Sequence, residues 1–238
     1  MERDPQHAGA MGDTPAAGEP LPSLPARFVA VFISPGRLVE QVAREPKWAG
    51  VLLLGALLVA LSVSLIPTEI LMEANRQAAM ERGRELPEMG AQVLRVMRIV
   101  TPILTFVATL IMTAFMAGVY AVVFAFVLGD EGRYVQYLAV VAHANLIAVV
   151  FALIITPLRI STGDPQLTLN LGTFLPFLPD GYVSTVLRYL DLTQIWSSLV
   201  IAQGAHAIDR RRSFGSAAGV GISILLLFAM VIAFIVQR

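Results

Sequence analysis

Residues 99–128, IVTPILTFVATLIMTAFMAGVYAVVFAFVL, contain no charged side chain. A run of this length and polarity has nowhere to go in water. In hydrocarbon every backbone N–H and C=O must be satisfied within the protein, so the run has to be a membrane helix. Four more stretches, residues 48–67, 135–158, 190–208 and 216–236, reach the roughly 20 apolar residues needed to cross a core about 30 Å thick. The run over 99–128 is longer than needed and is expected to tilt or extend beyond the core, with Pro102 tolerated in its first turns. The composition agrees: 14% of residues are charged, against about 25% in a typical soluble domain. The expected fold is therefore all-α, a polytopic membrane protein built as a five-transmembrane-helix bundle.

Residues 1–26 are rich in Pro, Gly and Ala without a periodic apolar face, and read as a disordered cytoplasmic tail. They lack the charged n-region and apolar h-region of a signal peptide. Residues 27–47 are expected to lie in the headgroup region. Ser34 can cap and Pro35 suits a first helical position, so a short amphipathic interfacial helix should run over residues 35–44, with Leu38, Val39 and Val42 on one side. Residues 48–238 form the membrane domain, entered at Trp48, an interfacial anchor. Residues 68–98 read as a solvated helical excursion broken at Gly83 and Pro87, and GDEGR at 129–133 as a tight turn. Residues 159–189 are either a surface loop or a re-entrant cap.

Arg27, Arg37, Arg44 and Lys47 precede the first span, and Arg210, Arg211 and Arg212 crowd the loop before the last. Positive charge accumulates on the cytoplasmic side, which five spans satisfy with the N-terminus inside, although the five arginines of residues 68–98 oppose this. Of the 17 basic residues only Lys47 is a lysine, a codon signature that points to a GC-rich bacterial genome and so to a plasma (inner) membrane. The 17 basic residues balance 17 acidic ones, which argues against nucleic acid as a partner, and with no cysteine there is neither a disulfide nor a thiolate site.

Several stretches carry a resemblance. Ser34-Pro35, the P-x-W of Pro46 to Trp48, GDEGRYVQYLAVVAHA at the third span and LDLTQIWSSLVIAQGAHA in the fourth resemble the Yip1-domain family, particularly its prokaryotic branch, over roughly residues 28–236. The resemblance implies five spans, a cytoplasmic N-terminus and no known enzymatic activity. Eukaryotic members are linked to vesicle traffic and to binding of prenylated Rab GTPases, and they carry an acidic-aromatic segment with a Tyr-Gly-Pro core ahead of the first span. SPGRLVEQVAREPKW stands there instead, so Rab-type GTPase binding is not expected.

No HExxH, nucleophile elbow or phosphate loop is present, so neither a catalytic residue nor a cofactor is expected, and an intramembrane hydrolase or transferase lacks a reactive set. The intramembrane polar residues remain: His143 and Asn145 in the third span, Gln194, Ser198, Gln203 and His206 in the fourth, and Asp191 at its mouth. At about 100° per residue, His143 and Asn145 point some 200° apart and are not one site. His143 shares a face with Gln136, and Asn145 lies nearer that of Tyr134 and Thr156. The preferred reading pairs His143 or Asn145 with Gln203 or His206 across a helix contact. The alternative is a small transporter or channel with Asp191, His143 and His206 along its path. A two-histidine metal site is weaker still, and no metal is expected. Gly215, Gly219 and Ser223 recur every four residues as a small surface for another helix, within the chain or in a homo-oligomer, and Gly118 belongs to a similar patch in the second span. Arg210, Arg211 and Arg212 fix topology in preference to recruiting anionic lipid. The expected role is non-enzymatic: organising lipids or other membrane proteins through helix contacts.

Overall fold

The computed structural model describes residues 20–81, 83 and 90–237; most of the expected tail and Pro87 lie outside the described residues. Ten α-helices account for most of the described residues. Helix α1 spans Leu24–Ile33 and α2 spans Pro35–Arg44. Helix α1 was not expected, and its start at Leu24 falls inside the segment read as tail. Helix α2 has the expected bounds, with Pro35 in its first turn, but Ser34 makes no side-chain capping bond. The Ser34 N–H instead closes α1 onto the Ala30 carbonyl, and the Ser34 carbonyl accepts from Leu38. Two consecutive helices share this residue, which leaves its backbone to do the capping.

Helix α3, Ala49–Leu65, follows directly after Trp48, and α4, Thr68–Glu81, leaves it at 87° across Pro67. Helix α5, Ala91–Ala121, runs on as a π-helical turn to Val127. Its 37 residues amount to roughly 55 Å at 1.5 Å per residue, longer at the N-terminal end than the expected span. Pro102 therefore lies inside the helix and not in its first turns, so the Arg98 carbonyl lacks its usual donor. The Thr105 hydroxyl bonds back to the Thr101 carbonyl beside it at 2.9 Å.

Helix α6, Tyr134–Ile154, is broken at Ile155 from the short α7, Thr156–Thr162. Residues 159–189 carry structure of their own. A single turn of 3-10 helix leads to α8, Tyr182–Tyr189, and an antiparallel bridge joins Asn170 to Asp191. Helix α9, Leu192–Ile208, and α10, Phe214–Val236, complete the chain.

Helices α5 (with its π turn), α6 and α10 are each long and apolar enough to cross a membrane. Together, α3 and α4 would make a fourth span only if counted across their bend, and α9, with 17 residues, is shorter than these. Helix α6 is the hub: it packs on α3, α5 and α9, and also receives α1 and α2. Residues 137–144 are accordingly all buried, which explains why this stretch lacks an amphipathic pattern. Helix α9 lies between α6 and α10, and α2 leans on it. Where α9 crosses α6, Gly204 lies so close to Val140 that a Cβ on it would overlap the Val140 methyls.

Candidate functional site

Three polar seams, a cleft and an end pocket hold most of the candidate polar residues. The first seam is buried at His143. Its Nδ1 lies 2.7 Å from the Ala139 carbonyl. A carbonyl can only accept, so Nδ1 carries the proton and Nε2 is left as an acceptor. The donor is Arg27 of α1, whose guanidinium lies 3.3 Å from Nε2 and also donates to the Lys47 carbonyl at 2.8 Å. On the same face of α6 the Gln136 amide donates to the Ala43 carbonyl of α2 at 2.7 Å. This face of α6 therefore fastens the two N-terminal helices.

The second seam turns the other way. Asn145 donates to the Thr113 hydroxyl of α5 at 3.3 Å, and Tyr134 to the Ala114 carbonyl at 3.0 Å. The expected pairing of His143 or Asn145 with Gln203 or His206 is not the arrangement found. Gln203 packs beside Gly36 of α2, while His206 donates from Nδ1 to the Arg212 carbonyl at 2.6 Å and receives Arg210 on Nε2. The α6–α9 contact is made instead by Ser197, one residue from the expected Ser198, whose hydroxyl donates to the Ala144 carbonyl at 3.0 Å. Its signal is the adjacent pair Ser197-Ser198, of which only Ser198 stands among the expected polar residues.

The third seam joins the loops at the end of the bundle nearest α2. Each arginine of 210–212 already has a carboxylate. Arg210 pairs with Glu40 at 2.9 Å, and Arg211 with Asp209 at 2.8 Å and Glu131 at 3.2 Å. Arg212 grips Asp130 with Nε and a terminal nitrogen, at 2.5 and 2.6 Å. The Arg212 guanidinium also lies 5.8 Å from the centre of the Phe124 ring. This compensation leaves little free charge for anionic lipid.

Asp209 accepts from the Arg211 side chain and from the N–H groups of Glu131 and Arg211, which hold its carboxyl well below the usual range. A carboxyl depressed in the folded state stabilises the fold at every pH above its unfolded titration. That stabilisation disappears as pH falls toward the folded value. Melting in detergent is expected to be level from neutrality down to about pH 5 and to decline below it, with a shallower decline in Asp209→Asn. An identical acid limb in the variant would exclude Asp209 as its source.

The cleft, about 430 Å³, lies between α5 and α10 with α6 and α9 as its floor. Helix α5 packs on α3 and α6, and α10 on α9 and α8, so no extended seam between α5 and α10 closes it. Met112 and Met116 form one wall, Phe228 and Ile232 the other, and Asn145, Gln194 and Ser198 are brought together along the floor. A second pocket of about 300 Å³ at the end of the bundle is lined by Arg159, Asp191 and again Gln194. Asp191 is the N-cap of α9, accepting from the Thr193 N–H at 2.7 Å. His143 and His206 line neither space, so Asp191 and the two histidines are not brought onto one path. Among the described residues no cluster of three His, Cys, Asp or Glu could hold a metal.

The small residues of α10 divide differently from the expected stripe. In its first half Ala217 and Gly221 are the buried small positions, Gly221 against the Ser198 carbonyl, whereas a Cβ on Gly215 or Gly219 would meet none of the described residues and Ser223 is exposed. A Cβ on Gly118 would come within ordinary contact of the Tyr134 ring and, among the described residues outside its own helix, of nothing else.

A family model described as the Yip1 domain matches residues 29–235. The chain belongs to the Yip1-domain family. It is accordingly a multi-pass integral membrane protein in contact with the lipid bilayer, from a family of non-enzymatic membrane proteins. No curated protein and no solved structure matches the chain. The Yip1 match begins inside α1 and ends inside α10, so the His143–Ala139 bond, the second and third seams and both cavities lie within the family's domain, while Arg27 of the first seam stands two residues before it.

Proposed function

We propose that this Yip1-domain protein is a non-enzymatic organiser of the membrane, holding lipids or other membrane proteins, including further copies of itself, against its helices. The observation that carries this reading is the division of its polar groups. His143, Asn145 and Ser197 are consumed in helix contacts, while an apolar cleft and the Gly215–Gly219 face, which meets none of the described residues, stay open. Five crossings suit the chain. Helices α3 and α9, with 17 residues each, reach roughly 26 Å, enough for a slightly thinned core of about 30 Å. Helix α2 and the loops at 129–133 and 209–213 meet at one end through Arg210–Glu40 and Arg212–Asp130. That end carries the positive charge and faces the cytoplasm of a bacterial cell. Helices α1 and α2, with Trp48 beyond them, lie at its membrane interface.

Crosslinking in native membranes followed by purification in lipid is expected to retrieve a stable protein partner or a homo-oligomer. A chain that is strictly monomeric, with no protein or lipid co-purifying, overturns the reading. Because no native cysteine interferes, single cysteines can be labelled from each side. A cysteine at the C-terminus reachable only from the cytoplasm would refute five crossings.

A further inference from the structure

The cleft and the end pocket share Ala148, Val149 and Gln194 in their walls, so an apolar interior leads into a charged mouth. Three polar side chains along this path have unused capacity. Arg159 donates Nε to the Leu167 carbonyl at 2.9 Å. It forms an ion pair with neither Asp164 nor Asp191, although both lie near enough to act on its charge. Both capping bonds of Asp191, from the Thr193 N–H and hydroxyl, fall on Oδ1, and Oδ2 accepts from none of the described residues. Gln194 is exposed to both spaces, and its amide has no partner among the described residues. Beyond Gln194, Asn145 donates to Thr113 and Ser197 to Ala144, and the walls are Met112, Met116, Phe228 and Ile232.

The order from the end of the bundle inward is thus cation with anion, then a free amide, then hydrocarbon. From Val141 to Ile154 the floor helix covers roughly 20 Å, somewhat more than one leaflet of a core about 30 Å thick. A ligand matching this order has a phosphate and an ammonium side by side, an ester next, and a chain one leaflet long. The lateral opening between α5 and α10 lets the rest of such a molecule stay in the bilayer.

We propose that this groove is a binding site for an ethanolamine phospholipid, with its phosphate on Arg159, its ammonium on Asp191 Oδ2, its ester carbonyl on the Gln194 amide and one acyl chain in the cleft. The assignment rests on the organiser reading and names the lipid it would hold. A purely anionic headgroup would meet the Asp191 carboxylate with like charge. A choline headgroup has no N–H to donate to Oδ2 and loses the charge-assisted bond.

The test uses the full-length protein in nanodiscs containing equal parts of ethanolamine, choline and glycerol phospholipids with identical chains. Lipid retained after extraction into mild detergent is measured by mass spectrometry. Ethanolamine lipid is expected to be enriched about three- to tenfold over the other two, the value of one charge-assisted hydrogen bond at a partly wet site. Stepwise N-methylation of the headgroup should abolish the enrichment only at the last N–H, a result that needs no variant. Asp191→Asn, which keeps an N-cap residue, should bring the enrichment to about one, and Arg159→Gln should reduce retention of all three. Retained lipid that mirrors the mixture, or an enrichment indifferent to Asp191→Asn, overturns the proposal. The enrichment is read on purified protein and the partner search on native membranes, so either reading can fail alone.

Discussion

Gly204→Ala is expected to destabilise the bundle by about 2–3 kcal/mol, as overpacking of a filled contact does. The sign makes the result informative. In a helix interior without crowding, Gly→Ala gains up to about 1 kcal/mol from propensity alone, so an effect of the opposite sign must come from the neighbour. That neighbour is Val140, fully buried on α6, whose methyls a Cβ on Gly204 would overlap. A valine cannot swing away, because its branched Cβ allows essentially one helical rotamer, and the α6–α9 axes would have to separate. Separation would also lengthen the Ser197–Ala144 bond two turns away. Unfolding in a denaturing detergent can be followed by the fluorescence of Trp196, whose ring lies 6.2 Å from both Phe32 and Phe151. Val140→Ala should recover at least about 1 kcal/mol in the Gly204→Ala background, as coupling between touching residues requires. If Gly204→Ala matches or exceeds the parent in stability, the close approach of α6 and α9 is wrong.

The contrast between helix faces and helix partners marks what the sequence could disclose. The 100° rule separated His143 from Asn145 without coordinates, because both lie on one element and only its own period matters. The bounds of α2 were legible for the same reason, set by Pro35 at one end and Pro46 shortly after the other. Arg27 could not be found in this way: it stands 116 residues from His143, and its local context, a short apolar run behind prolines, allows either a helix or a strand. Counted only as a topological charge, it proves to be the residue that anchors α1 to the hub. Asp130 and Asp209 were missed for a related reason. The positive-inside rule counts arginines and gives acidic residues little weight, whereas the loops at 129–133 and 209–213 hold together through those acids. The stripe at Gly215, Gly219 and Ser223 is real in the sequence, but a period of four cannot say which face meets a neighbour. The seam inside the chain uses Ala217 and Gly221.

The three consecutive arginines give the sharpest separation between topology and structure, because a rule that counts positive charge treats them alike. Their surroundings differ. Arg210 is largely exposed and its pair with Glu40 is of the kind worth less than about 1 kcal/mol. Arg212 keeps 15% of its side chain exposed and Asp130 6%. Two nitrogens of the guanidinium meet the two carboxylate oxygens, a third reaches the Ser216 hydroxyl at 3.1 Å, and the Phe124 ring lies beside it, itself stacked on Tyr137. Arg212→Gln is therefore expected to cost about 2–3 kcal/mol, since it leaves a buried carboxylate without its charge partner. Arg212→Lys should recover only part of this, because an ammonium cannot reproduce the planar fork. Asp130→Asn combined with Arg212→Gln should cost less than the sum of the two singles, while Arg210→Gln stays within about 0.5 kcal/mol of the parent. Equal costs for Arg210→Gln and Arg212→Gln would reduce the triplet to a topological signal. The predicted inequality makes Arg212 the clamp that fixes the loop between α9 and α10 to the turn between α5 and α6, and with it the spacing of the two helices that flank the cleft.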